Sequence, residues 1–304
     1  MLIDEVINVP TFHAPYSPPL VSIALPVFNG GAALALAVES LLAQTLTDWE
    51  LLIVDDGSTD GAIDRLRCLG DSRVRVIRDG LNKGLSSRLN QAVALASGRY
   101  FTRMDHDDIC HPARLACQVE FLAANPLVDL LSTHCVTIDE QARIVGVLPG
   151  ATSHEEICRR PWQGLYMPHP TWMGRIEWFR CHRYDEPGPY CCEDQELLLR
   201  ASDQSRYHCL PSNLLAYRVR TRTPFKKLWR TRLALTTVQV TYFVQRGDFG
   251  GALLSVIAAA IRLLTDFSRR IWRWGLKRSP GSNADILEWN GLIAELKARA
   301  KVVG

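Results

Sequence analysis

The sequence predicts an α/β fold, a mainly parallel twisted sheet flanked by helices, with a helical extension at the C-terminus. Two observations carry the sheet. Between residues 21 and 125, short apolar runs alternate with segments whose apolar residues recur at helical spacing. Each of the main runs stops at a polar cluster, at 29–31, 55–60 and 105–108, as strands do where an open α/β sheet presents its carboxyl edge to ligands. A third observation separates the extension. Residues 218–304 hold 17 Lys/Arg against 5 Asp/Glu, a net +12, and residues 1–217 hold 18 against 27, a net −9.

Taken in order, the run Val21 to Phe28 is a strand ended by Asn29-Gly30-Gly31, and a helix follows from Ala32 to Gln44. Trp49 to Val54 is a second strand. It stops at Asp55-Asp56-Gly57-Ser58-Thr59-Asp60, turn and cap chemistry that predicts a helix through Leu69. Val74 to Ile77, a helix over Leu85 to Ala96, and Tyr100 to Met104 continue the alternation, and Pro112 opens a helix to about Asn125. Such alternation implies right-handed βαβ units and a sheet covered on both faces. Beyond residue 130 the pattern loosens, with short strands expected near 130–136, 144–148 and 214–219. The expected organisation is an extended lead-in over residues 1–19, a main α/β domain over 20–222, and a basic amphipathic helical extension over 223–304.

With 47% apolar and 22% charged residues in 304, the chain can bury one substantial core plus an appendage. Its nine cysteines are scattered and odd in number, without the Cys-x-x-Cys spacing of a zinc site, which fits a reducing cytoplasm. Asp4, Glu5 and four prolines by residue 19 do not form a signal peptide, so the start reads as an extended lead-in.

Asp105, Asp107 and Asp108 end an apolar strand, where mutual repulsion is costly unless a cation compensates it. Oxygen-only ligands favour Mg²⁺ or Mn²⁺, and substrate phosphates usually complete such a site. The alternative is a solvated loop capping the helix at Pro112. Asp55 and Asp56 are either helix caps or acceptors for a base N–H or a ribose hydroxyl.

Together the motifs closely resemble the family 2 glycosyltransferases. The segments are Val21-Ser-Ile-Ala-Leu-Pro-Val-Phe-Asn29, Leu-Ile-Val-Asp-Asp-Gly-Ser-Thr-Asp60, Asn82-Lys-Gly-Leu, Gly98-Arg-Tyr, Met104-Asp-His-Asp-Asp108 and Glu193-Asp-Gln-Glu-Leu. The resemblance covers about residues 20–220 and implies a GT-A (nucleotide-diphospho-sugar transferase) fold and single-sugar transfer with inversion. It matches Pro26, Phe28 and Asn29 to the first nucleotide loop and Asp55 and Asp56 to carboxylates near base and ribose. It matches Asp105 and Asp107 to the metal motif, with Asp108 a second candidate. Lys83 and Arg88 are candidates for holding the nucleotide, or solvated helix residues. Asp194, beside Glu193 at the start of a helix, is matched to the catalytic base, against the alternative of a helix cap. His169 is matched to the acceptor side, with a structural histidine as the alternative.

The implied partners are a nucleotide diphosphate sugar, UDP- or dTDP-linked, and a glycan or lipid-linked glycan acceptor in bacterial surface polysaccharide or lipopolysaccharide synthesis. Two departures stand out. Where many relatives have a metal-ligating histidine, this chain has Tyr217-Arg-Val-Arg220; arginine cannot ligate a cation, so Arg220 is expected on phosphate, with His208 or water in the empty position. There is also no Gln-x-x-Arg-Trp sequence, the mark of processive synthases. The competing reading is a catalytically silent nucleotide-sugar-binding or membrane-scaffold protein.

In the extension, the uncharged stretch from Phe249 to Ile261 is too short to span a bilayer, which takes about 20 residues. No transmembrane helix is therefore expected. Leu253, Ile257, Leu264, Phe267 and Ile271 fall on one helical face, and Arg262, Arg269, Arg270, Arg273 and Lys277 on the other. This predicts either a helix lying on an anionic membrane surface or one packed on the catalytic domain, and it argues against nucleic-acid binding. The expected location is cytoplasmic, peripheral on the inner face of the membrane.

Overall fold

The computed structural model describes residues 18–148, 150–220, 224–271 and 282–301. Strand β1 (Val21–Val27) lies between β2 (Trp49–Asp55) and β4 (Tyr100–Arg103), parallel to both, and β3 (Val74–Ile77) adds a parallel strand outside β2. The sheet continues through β8 (Met173–Arg175), β6 (Leu130–Ile138), β9 (Tyr207–Arg218) and β5 (Ile109–Cys110), with β7 (Ile144–Leu148) paired to β6. The parallel half is the one expected from the alternation.

Both faces of the central strands are buried, and their side chains alternate between two cores as the pleat requires. Val21, Ile23 and Leu25 of β1, with Leu51 and Ile53 of β2, pack beneath helix α1 (Gly31–Leu42). Ala24, Leu52 and Val54 pack on the opposite side with Leu89 and Val93 of α2 (Leu85–Leu95) and Leu197 and Leu198 of α6 (Glu193–Ala201). Helix α3 (Arg114–Ala124) adds Leu115 and Leu122 to the first core. Gly98 lies so close to β1 that a Cβ there would stand 2.5 Å from the Ser22 amide nitrogen, so this turn before β4 requires glycine.

Three expectations needed correction. The helix through Leu69 is two 3₁₀ turns, Ile63–Arg65 and Arg67–Gly70, because Leu66 between them is extended. The last core strand begins at Tyr207, not 214. Helices α4 (His154–Ile157) and α5 (Ile176–Cys181), like β5 and β8, were not anticipated as elements, whereas α7 (Phe225–Gln245) falls in the extension expected to be helical.

Helix α7 runs antiparallel to α8 (Phe249–Ile271), held by Arg232 and Asp266 at 3.0 Å, and packs Val238 and Tyr242 on the second core. Helix α9 (Asn283–Lys301) returns to α1 and buries Trp289, Ile293 and Leu296 with Leu36 and Ile109. The uncharged stretch from Phe249 to Ile261 lies inside the longer helix α8. Its window Phe249–Asp266 has a mean hydropathy of 1.6, long and apolar enough to cross a membrane, because only Arg262 and Asp266 interrupt it. Arg262 points inward to the Gln163 carbonyl rather than lying on an outer basic face. The side chains of Phe267, Arg269, Arg270, Ile271, Arg273 and Lys277 lie outside the described residues.

Candidate active site

Strand ends and one helix start converge on a cleft of about 930 Å³. Asp105, just past β4, reaches it, as do His169, Glu193 and Asp194, with Lys83 and Tyr217 at its sides. Residues more than a hundred positions apart in sequence are thus gathered at the carboxyl edge of the sheet, as the polar clusters predicted.

The carboxylates after β4 differ in environment. Asp105 is partly exposed and ion-paired with the fully buried Arg103. Asp107 is pushed up from the usual carboxylate range by burial and by the charge of Asp105. Asp108 is pushed well above that range by burial and by Asp105 and Asp107. One Asp108 oxygen accepts the Arg218 backbone N–H at 2.7 Å, and the other is buried with no partner. Among the described residues no group of three His, Cys, Asp or Glu side chains is arranged to hold a metal alone. The donors nevertheless fit a hard divalent cation, since clustered carboxylates and an orphaned buried oxygen are what a cation satisfies, with phosphate and water completing its shell.

Arg88 is placed otherwise than the sequence suggested. All five N–H groups of Arg88 are spent inside the protein, on Asp56, both oxygens of Asp79, Gln91 and the Leu81 carbonyl. It is neither a free nucleotide ligand nor a solvated helix residue. Arg220 is exposed and absent from the cleft lining, and Arg218 instead ties the metal-motif loop by donating to the Asp107 carbonyl at 2.6 Å and the Asp139 carbonyl at 2.7 Å. Nor can His208 take the empty position: its ring stacks on Phe121, nine residues before Tyr217 along β9.

The first loops organise one another. Asp56 accepts N–H bonds from Lys83 and Gly84, and Gly84 has φ +85, a conformation that favours glycine and opens α2. Asn29, also left-handed at φ 50, accepts the Thr59 N–H at 2.9 Å, while Asp55 accepts that of Ser58. Pro26 is buried in β1, beyond its last pair with β4, and Phe28 is exposed. Lys83 pairs with Asp79 at 2.7 Å.

At the other end of the cleft, Glu193 and Asp194 open α6, whose N-cap is Cys192 without a side-chain cap, so neither acid is the cap. Burial, then the Asp194 charge, pushes Glu193 up to about 7. Burial also raises Asp194, opposed by the Gln195 N–H it accepts at 2.8 Å. Gln195 bonds both backbone groups of Leu165, which fixes the start of α6. His169 is kept neutral by burial; its Nε2 meets the Tyr184 hydroxyl at 2.7 Å and its Nδ1 lies 3.8 Å from Glu193.

With this geometry, residues 22–183 match the family model described as Glycosyl transferase family 2. The chain belongs to glycosyltransferase family 2. The matching family segment holds β1 to α5, and the GT-A fold is seen in solved structures. TarS of S. aureus in complex with UDP-GlcNAc superposes with a TM-score of 0.59 at 20% identity, covering 74% of this chain and 65% of that one. Mannosyltransferase PcManGT of Pyrobaculum calidifontis, in complex with GDP-Man and Mn²⁺, gives 0.53 at 16%, covering 95% and 87%. Among curated relatives, the Escherichia coli UDP-Glc:alpha-D-GlcNAc-diphosphoundecaprenol beta-1,3-glucosyltransferase WfgD is 34% identical over 106 residues, 35% of this chain and 42% of its own. The chain spans 17% to 66% of the lengths of its first curated relatives.

This member of the family has cleft residues that sequence reasoning missed. Tyr166, Tyr190, Gln195 and the Glu186–Cys191 turn line it, and Arg103 lies buried beneath it. Two of them left a signal: Arg103 as a charge inside an otherwise uncharged strand, and Gln195 as part of the Glu193-Asp-Gln-Glu-Leu segment.

Proposed function

We propose that this glycosyltransferase moves one sugar from a UDP- or dTDP-linked donor onto a hydroxyl of a glycan or lipid-linked glycan, with inversion, in building a bacterial surface polysaccharide or lipopolysaccharide. The observation that carries the reading is the single cleft that both Asp105 and Asp194 reach. WfgD's printed donor and acceptor and the UDP-GlcNAc in TarS support the substrate class, and Mn²⁺ in PcManGT supports the cation.

Asp105 and Asp107 would hold Mn²⁺ or Mg²⁺, with Asp108 behind them; a cation there neutralises charge gathering on a departing diphosphate. Asp194 accepts the proton of the acceptor hydroxyl as that oxygen bonds to the anomeric carbon. The bond from that carbon to the phosphate oxygen breaks, and its electron pair leaves with the nucleoside diphosphate. Attack from the face opposite the leaving group inverts the centre. His169, neutral, bonded to Tyr184 and 3.8 Å from Glu193, lines the acceptor side of the cleft. Asp55, Asp56, Asn29, Pro26, Phe28 and Lys83 form the nucleotide end, where Asp56 and Arg88 act by shaping the 79–84 loop. Arg220, exposed just beyond Arg218, is assigned to donor phosphate. Nine free thiols fit work in a reducing compartment.

Asp194→Asn tests the reading. General-base assistance is worth about 10² to 10⁴ in rate, so transfer should fall at least that far while donor affinity holds. Near-normal turnover would remove Asp194 from the mechanism.

A further inference from the structure

Helix α8 is built inside out. A surface helix normally turns its apolar side to the protein and its polar side to water. At 3.6 residues per turn, Ser255, Arg262 and Asp266 share one side of α8, and that side faces the protein. Ser255 is fully buried, Asp266 pairs with Arg232 of α7, and Arg262 donates to the Gln163 carbonyl. The opposite side carries Phe249, Leu253, Val256, Ile257 and Leu264, which are 73%, 61%, 50%, 45% and 69% exposed. No charged side chain interrupts it from residue 249 to 261. Trp229, Leu233 and Val244 of α7 are exposed as well, and the Arg232–Asp266 pair sets Leu233 level with the Leu264 end of α8.

We propose that this face docks flat on an anionic lipid bilayer, with the outer residues of α8 at the boundary between headgroups and acyl chains. Charge selects this occupant. Residues 267–284 contain Arg269, Arg270, Arg273, Lys277 and Arg278 with Trp272 and Trp274, and no acidic residue. An apolar helix face continued by basic residues and tryptophan suits an anionic interface, where each cation adds attraction and indole rings settle at headgroup depth. A second copy of the chain would instead bring together two extensions that each carry a net +12 over residues 218–304. Although α8 is long enough to cross a bilayer, its inward charges are held by α7 and by Gln163, so it lies in the plane of the interface. The docking surface stands independently of the transfer reaction.

Vesicle flotation of the full chain tests it, with wild type against the double variant Leu253→Glu/Leu264→Glu. Both sites are exposed, so the fold should keep its wild-type melting temperature. Wild type should float with phosphatidylglycerol-containing vesicles and roughly tenfold less with pure phosphatidylcholine, and the variant should lose flotation. Wild type that stays off the anionic vesicles, or a variant that floats equally well, would overturn the proposal. So would a wild-type dimer in sedimentation that the same substitutions split, which would give the face to a second copy.

Discussion

Arg88 and Asp56 are buried against each other, with Arg88 Nε donating to Asp56 Oδ1 at 2.9 Å, and the same carboxylate collects the amides of Lys83 and Gly84. One ion pair therefore fixes where the loop after β3 meets the end of β2. Removing one partner of a buried pair typically costs about 3 to 5 kcal/mol, because the remaining charge is stranded. Arg88→Met should lower the free energy of unfolding in urea by roughly 3 kcal/mol. Arg88→Lys should rescue little of it, since an ammonium cannot make the forked contacts to Asp79. Wild-type stability with weakened donor binding would instead make Arg88 a direct ligand of the nucleotide.

Glu193 gives the molecule a pH signature. Its folded pKa of about 7 stands above its ordinary 4.5, so between these values the folded state keeps a proton that the unfolded chain has released. Stability from this group is therefore greatest below 4.5 and is lost as pH rises through 7. His169 is the opposite case. Burial holds it neutral, so below about 6.5 the unfolded chain takes up a proton that the fold refuses, and stability falls. Above about 6.5 the His169 contribution is gone. Lowering the pH from about 8.5 to 6.5 should stabilise the metal-free protein by roughly 1 kcal/mol through Glu193, measured by urea unfolding at each pH. In Glu193→Gln that slope should flatten; an unchanged slope would assign the proton elsewhere.

What the sequence made legible follows from where the physics is local. β1, β2 and β4 were readable because strands buried on both faces are continuous apolar runs, and Asp55, Asp105 and Asp194 were readable because each sits at an abrupt end of an apolar segment or start of a helix. The role of Arg88 was not readable. Its partners Asp56 and Asp79 lie 32 and 9 residues away, and only the fold shows that every N–H is taken. β5 and β8, of two and three residues, carry no periodicity of their own and exist because β9, β4 and β6 offer them edges. Tyr166 and Tyr190 reach the cleft from irregular backbone, which has no pattern to read.

The last helix can be tested through one side chain. Trp289 is 1% exposed, edge-on to His111 at 5.4 Å between ring centroids, and its indole N–H donates to the Asn213 carbonyl at 3.2 Å. Large-to-small substitution of a buried aromatic costs about 3 to 5 kcal/mol, so Trp289→Ala should cost an amount in that range if α9 unfolds together with the catalytic sheet. Global stability within about 0.5 kcal/mol of wild type, the usual range for surface substitutions, would show that α9 detaches before the sheet unfolds.

Metal and donor should act on stability together. Asp105 is the carboxylate of its cluster that opens to the cleft, while burial and the Asp105 charge push Asp107 up from the usual carboxylate range, and burial with Asp105 and Asp107 pushes Asp108 well above it. A cation alone should thus bind weakly, and donor diphosphate should complete its shell. In a thermal-shift panel of UDP-, dTDP- and GDP-sugars with and without Mn²⁺, the matching pair at 100 times its Kd should stabilise the protein by about 2.7 kcal/mol. Either member alone should give much less. Asp105→Ala and Asp107→Ala should both abolish the joint effect; Asp107→Ala should leave the ligand-free melting temperature unchanged or raised, because it relieves crowding of like charge, whereas Asp105→Ala should lower it by stranding the buried Arg103. An equal shift with donor alone, undiminished in both variants, would show that the carboxylates after β4 hold no metal against the diphosphate.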